Sequence, residues 1–288
     1  MMNRPLYTQI ISVLLLLLLT LSCRKEDTNL NEPIPGLGGE TWQKGELDKW
    51  LADQFTTPYN IAVKYRWDAS EFDLSRHLVP PSLDKVVPIM EVVKKGWIEP
   101  YIAEAGGDFI KRFSPKQYVL AGSASFNPNG TIVLGEAEGG RKVVIYRVND
   151  FKKSDKEQVK EILHTIHHEF AHILHQNVLY PEEYKRITPG GYTGTWYLIS
   201  TAEARSGGFI TPYAKSSTDE DFVEMAATML VEGRAGFDAM VNAIPQAGAR
   251  SALRQKEQIV VNYFSQVYGI HLYRLQATTA AAIQDITK

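Results

Sequence analysis

The chain has 288 residues, 31 basic against 33 acidic side chains, and a single cysteine. That length can bury a sizeable core, and the near-neutral charge balance excludes a strongly basic nucleic-acid binder. One cysteine excludes an intramolecular disulfide framework, a cysteine-based zinc finger and an iron–sulfur protein.

The N-terminus reads as an address. Arg4 supplies a short positive region, and Ile10 to Leu21 is almost wholly apolar, too short to span a bilayer comfortably. Thr20-Leu21-Ser22-Cys23 then resembles a bacterial lipobox, which implies cleavage before Cys23 and acylation of its thiol. Residues 1–22 are therefore expected to be a lipoprotein signal peptide. The following Arg24-Lys25-Glu26-Asp27 resembles the surface-export signal of Bacteroidetes lipoproteins. Residues 23–40, rich in Asn, Pro and Gly, read as a flexible tether.

One domain is expected over residues 41–288, with a helical part at 41–115. Thr41 to Phe55 carries Trp42, Leu47, Trp50, Leu51 and Phe55 at helical spacing, and Asn60 to Trp67 alternates like a strand. Leu83 to Trp97 and Tyr101 to Phe113 read as two helices split by Pro100. Tyr118 to Phe126 and Thr131 to Leu134 flank Asn127-Pro128-Asn129-Gly130, a hairpin signal. Lys142 to Val148 reads as a further strand, and a small sheet is expected here.

Five of the seven histidines then fall between His164 and His175. Ser154 to Glu157 has the form of a helix capping box. The helix it opens carries His168-Glu169-Phe170-Ala171-His172. Four residues turn a helix by about 400°, so His168 and His172 project from one face. Two imidazoles so placed can hold one zinc ion. Glu169 can reach a zinc-activated water, take its proton and pass it to a leaving amine. His175 is a candidate third ligand or an orienting residue. His164 reads as an orienting or buried polar residue, and His167 as a surface or packing residue.

A third ligand from downstream would complete a catalytic site. Thr218 to Val231 reads as a second helix on which Glu220 and Glu224 lie one turn apart, and Tyr213 stands seven residues before Glu220. The residues alone leave Glu220, Glu224 and His175 open. Thr188 to Tyr197, Gly-rich and aromatic, can border a cleft or be an ordinary loop. Arg254 to Gly269 carries a helical stripe that reads as core.

H-E-F-A-H followed about fifty residues later by a tyrosine and Glu220 resembles the glutamate-ligand zincins, including the anthrax lethal factor protease domain and the Mlc titration factor. The resemblance implies an α+β zincin-like fold, mostly helical, with a small sheet beside the histidine helix. It implies Glu220 as third ligand, Tyr213 as donor to the oxyanion and Glu224 as an acid orienting a ligand histidine. Asp221 stands where those families have Phe, and a slip of one turn would make Glu224 the ligand. His168 to Gln176 also resembles the zinc-metallopeptidase lipoproteins of Bacteroidetes, often encoded beside SusC/SusD-type importers. An edge strand pairs with the substrate backbone in zincins, and Lys142 to Val148 is the candidate.

The expected function is that of a zinc metallopeptidase with one Zn2+ per chain, acting on a peptide or protein. Its expected place is the outer membrane, surface-exposed and anchored through Cys23, with a possible importer as partner and no nucleic acid. A binding lipoprotein with a structural metal is the alternative, but such a metal needs no base and Glu169 is intact. A zinc hydrolase of a non-peptide amide would use the same residues.

Overall fold

Hydrophobic periodicity shapes most of what the computed structural model contains. It describes residues 42–288, apart from 74, 129, 134, 139 and 140. The leader, Cys23 and the tether lie outside the described residues. No helix among the described residues is long and apolar enough to cross a membrane.

Helix α1 (Glu46–Leu51) continues through a π turn at Ala52–Thr56 into a last turn at Thr57–Tyr59. Strand β1 (Ala62–Lys64) follows. Helix α2 (Leu83–Val93) runs through a π segment at Lys94–Ile98 into α3 (Glu99–Ala105). The expected split at Pro100 does not occur. Pro100 falls in the first turn of α3, where no N–H is needed, and the preceding π segment takes up its ring by bonding Glu99 N–H to Lys94 O. The break comes instead at Gly106, whose φ of +84° suits glycine, before α4 (Gly107–Phe113).

Four strands form the main sheet, in the order β1-β2-β6-β5. β2 (Gln117–Leu120) lies parallel to β1 and to β6 (Lys142–Ile145), with Tyr118 opposite Val143 and Leu120 opposite Ile145. Period-two alternation sends Tyr118, Leu120, Val143 and Ile145 into the main core, while Val119 and Val144 pack in a smaller cluster on the other face. The predicted hairpin exists but is shorter. β3 (Ser125–Phe126) pairs with β4 (Ile132–Val133) as a separate two-stranded unit, while Tyr118 to Leu120 belong to the main sheet.

Lys142 to Val148, expected at the edge, is internal. β5 (Gly135–Glu138) pairs antiparallel to β6 and occupies that edge. Its sequence, Gly-Glu-Ala-Glu, lacks the β-branched and aromatic residues that mark strands.

Glu71 clips the sheet at one end. Its carboxylate accepts from Lys64 of β1 and, at 2.8 Å, from Gln117 of β2, and Lys142 Nζ of β6 donates to its backbone oxygen at 2.8 Å. Burial opposes ionisation, but these partners hold its carboxyl below the ordinary value of 4.5. The unfolded carboxyl therefore binds its proton at higher pH than the folded one. The stabilisation is complete above about pH 4.5 and disappears as pH falls through the lower folded value. Glu71→Gln should flatten the loss of stability on acidification over that window, as read by urea unfolding at successive pH values.

The C-terminal half is helical: α5 (Lys156–Asn177), α6 (Thr201–Ser206), α7 (Thr218–Asn242, kinked at Gly233), α8 (Ala247–Tyr268) and α9 (Leu272–Ile286). On α8 the predicted stripe is core at Val260, Tyr263 and Phe264, while Val267 is exposed. The architecture is α+β, mostly helical, with the small sheet beside α5.

Candidate metal centre

Helix α5 begins one residue later than the Ser154 box implies. Asp155 caps it, its carboxylate accepting from Glu157 N at 3.0 Å and Gln158 N at 3.2 Å. Two faces of this helix do different work. Val159, Leu163, Ile166, Phe170 and Leu174 are buried in the core. Phe170, inside the H-E-F-A-H run, meets the rings of Trp97, Tyr101 and Phe109 edge to face at 5.1, 5.0 and 6.0 Å. His167 is also fully buried, 5.8 Å from Tyr101, so it faces the core and not the surface. Its burial, then the His164 ring, lower its pKa to about 3, so the imidazole is neutral.

The other face carries His164, His168 and His172 toward α7. There Ser217 caps the helix by accepting from Glu220 N at 3.2 Å, which fixes the turn bearing Glu220. Glu220 Oε2 lies 3.0 Å from His168 Nε2 and 3.3 Å from His172 Nε2. Glu224, one turn on, faces the opposite ring nitrogen: its Oε1 is 2.8 Å from His168 Nδ1 and 2.8 Å from His164 Nε2. Thr211 donates to Glu224 Oε2 at 2.6 Å. His175 presents Nε2 to His172 Nδ1 at 3.0 Å, away from the Glu220 side. Tyr213 stacks on His168 at 5.7 Å, and Trp196 meets Tyr213 edge to face at 4.8 Å.

The donor chemistry fits a cation. A neutral imidazole donates from one nitrogen only. If His168 gives its Nδ1 proton to Glu224, its Nε2 lone pair points at the Glu220 carboxylate. If His172 Nδ1 donates to His175, its Nε2 does the same. Two lone pairs and an anion then converge, and these three atoms all lie within 4.8 Å of one another. Ligands about 2.0–2.1 Å from a tetrahedral zinc stand about 3.3 Å apart, close to the spacing here. Without a cation the ring itself must carry the charge. Although burial opposes it, Glu220 and Glu224 then raise the pKa of His168 to about 10. Burial first, then Glu220 and the neighbouring carboxylates, raise the Tyr213 hydroxyl, so it remains a proton donor at neutral pH.

The site opens into a cleft of about 320 Å³ that reaches Glu169, Tyr213, Gly135 and Trp196. Gly135 lets β5 lie close to α5, because a Cβ there would overlap Thr165 Cγ2. Ile132 and Val133 of the hairpin form part of the same wall. The turn signal found the hairpin, but nothing local in the sequence brought it to this cleft. Thr211 had no signal at all, and Trp196 only its place in the Gly-rich loop.

The pattern of a family described as "Putative zinc-binding metallo-peptidase" matches residues 40–273. The crystal structure of a protein of the same description from Bacteroides caccae is similar, with a TM-score of 0.73 and 33% identity, covering 86% of this chain and 97% of that one. No curated protein matches. With a zincin-like α+β fold and a His/Glu cluster able to hold a metal, the chain belongs to the family of "Putative zinc-binding metallo-peptidase" proteins.

Proposed function

We propose that the chain is a zinc-dependent peptidase in which His168, His172 and Glu220 hold one zinc ion. The observation that carries this reading is the convergence of their three donor atoms while His168 Nδ1 and His172 Nδ1 are engaged by Glu224 and His175. A zinc ion held there supplies Lewis acidity toward a water molecule and a carbonyl oxygen.

The protein's own groups do the rest. Glu169, on the cleft beside His168, takes the proton of the attacking water and delivers it to the leaving amine. Tyr213 donates its hydroxyl to the oxygen on which negative charge develops. Glu224 and His175 orient the ligand rings. β5 ends the sheet order and Gly135 reaches the cleft, so an extended peptide can add along that edge as a further strand. Ile132, Val133 and Trp196 favour apolar side chains beside the scissile bond.

The lipobox pattern supports a lipid anchor on Cys23, and the Lys25-Glu26-Asp27 run after it supports a place on the outer membrane, facing outward. An associated nutrient importer is a partner consistent with the family resemblance. Purified protein should contain about one zinc per chain by elemental analysis. It should cleave peptides from a library, lose that activity to a chelator and regain it with zinc. A protein that takes up no zinc, or that holds zinc and cleaves nothing in the library, would overturn the reading.

A further inference from the structure

Asp221 has an unusual setting in the structure. It sits in the first turn of α7, next to Glu220, and is fully buried. Its Oδ2 accepts from Lys256 Nζ of α8 at 2.5 Å and from Tyr192 at 3.0 Å. Its backbone oxygen accepts from the Tyr184 hydroxyl at 2.9 Å. Lys256 is also fully buried, and its ammonium lies 4.1 Å from the centre of the Phe209 ring. The same ammonium donates to Gly208 O at 2.8 Å.

One ammonium thus joins two pieces of the metal site. One is the turn of α7 that carries Glu220. The other is the segment from Gly208 to Tyr213, which supplies Thr211 to Glu224 and places Tyr213 on His168. Tyr192 brings in the Gly-rich loop through Asp221 and through Phe209, 5.2 Å away edge to face. Stability gives little reason for this pair. A buried ion pair rarely outperforms well-packed apolar residues of similar size. Relative position is what the pair fixes and apolar packing would fix less sharply.

We infer that Asp221 and Lys256 are positioning residues that hold Glu220 and Tyr213 in register with the two histidines. This rests on the zinc-peptidase reading above. Removing the pair should leave the fold and loosen the metal site.

The test is the apolar double variant Asp221→Leu with Lys256→Met, accompanied by Asp221→Asn, which keeps the shape and removes the charge. Zinc affinity is measured by chelator competition, ligand geometry by the visible absorption of the cobalt-substituted protein, and kcat and KM on a cleaved peptide. The inference expects a folded double variant with zinc bound at least about tenfold more weakly, a changed cobalt spectrum and a lowered kcat. Asp221→Asn should shift the same readouts less. Folded variants with wild-type zinc affinity and cobalt spectrum would overturn it. Failure of both variants to fold would also overturn it, because the pair would then serve the whole chain and not the site. Wild-type protein and Glu220→Ala run alongside: if neither binds zinc, the zinc reading itself has failed.

Discussion

Glu169→Gln should keep zinc at the wild-type level and lose hydrolysis by about 10²- to 10⁴-fold in kcat. The substitution preserves shape but replaces the basic oxygen by an amide nitrogen that only donates. Glu169 follows His168 on α5 and lines the cleft, while the three converging donor atoms belong to other residues. The metal should therefore not sense the change, and proton transfer should. Elemental analysis and steady-state kinetics on one preparation separate the two effects. A variant that loses its zinc would place Glu169 among the groups that hold the metal. A variant with unchanged kcat would remove it from the chemistry.

The second large effect is expected at Glu220. Glu220→Ala removes one of three converging donors and should weaken zinc binding well beyond the ten- to hundredfold expected for Glu224→Ala, which acts through His168. The two variants should also differ in stability. Glu224→Ala leaves His164, His168 and Thr211 without their buried acceptor, a loss on the order of 1–3 kcal/mol or more. Glu220 faces the cation side, so in metal-free protein its removal relieves the demand for a charged His168. Chelator competition and thermal unfolding with and without zinc check both statements. A larger loss of zinc affinity in Glu224→Ala would exchange the roles of the two glutamates.

What the sequence made legible follows from range. The histidine helix was readable because its signals are local: apolar residues at 3.6-residue spacing, a polar cap and two histidines one turn apart. Glu220 and Glu224 were readable as a pair on one helix face. Which of them meets Nε2 of His168 and which meets Nδ1 depends on how α7 approaches α5 from about fifty residues away, and no local pattern encodes that. The same limit hid β5, whose Gly-Glu-Ala-Glu becomes a strand only because β6 pairs with it. Pro100 misled in the opposite way. A proline usually marks a break, but the π segment before it absorbed the lost hydrogen bond and left the break to Gly106. His167, on a polar-looking run, is buried because the aromatic layer around Tyr101 covers that side of α5. Helix α9 had no polar punctuation to announce it, although Leu272, Leu275 and Ile283 bury its inner face.

The two helices that share the cluster come from opposite sides of a long excursion of chain, and their other faces lie in one core. His168 and His172 sit one turn apart on a helix whose Phe170 is locked among Trp97, Tyr101 and Phe109, while Glu220 starts a helix whose Phe222 packs on Tyr180 at 4.4 Å. An ion bound between them would act as a non-covalent crosslink on the native state alone. By mass action, free zinc at a hundred times its dissociation constant would add about 2.7 kcal/mol to the unfolding free energy. Metal supply would then set how long the protein survives heat or proteases, as well as whether it works.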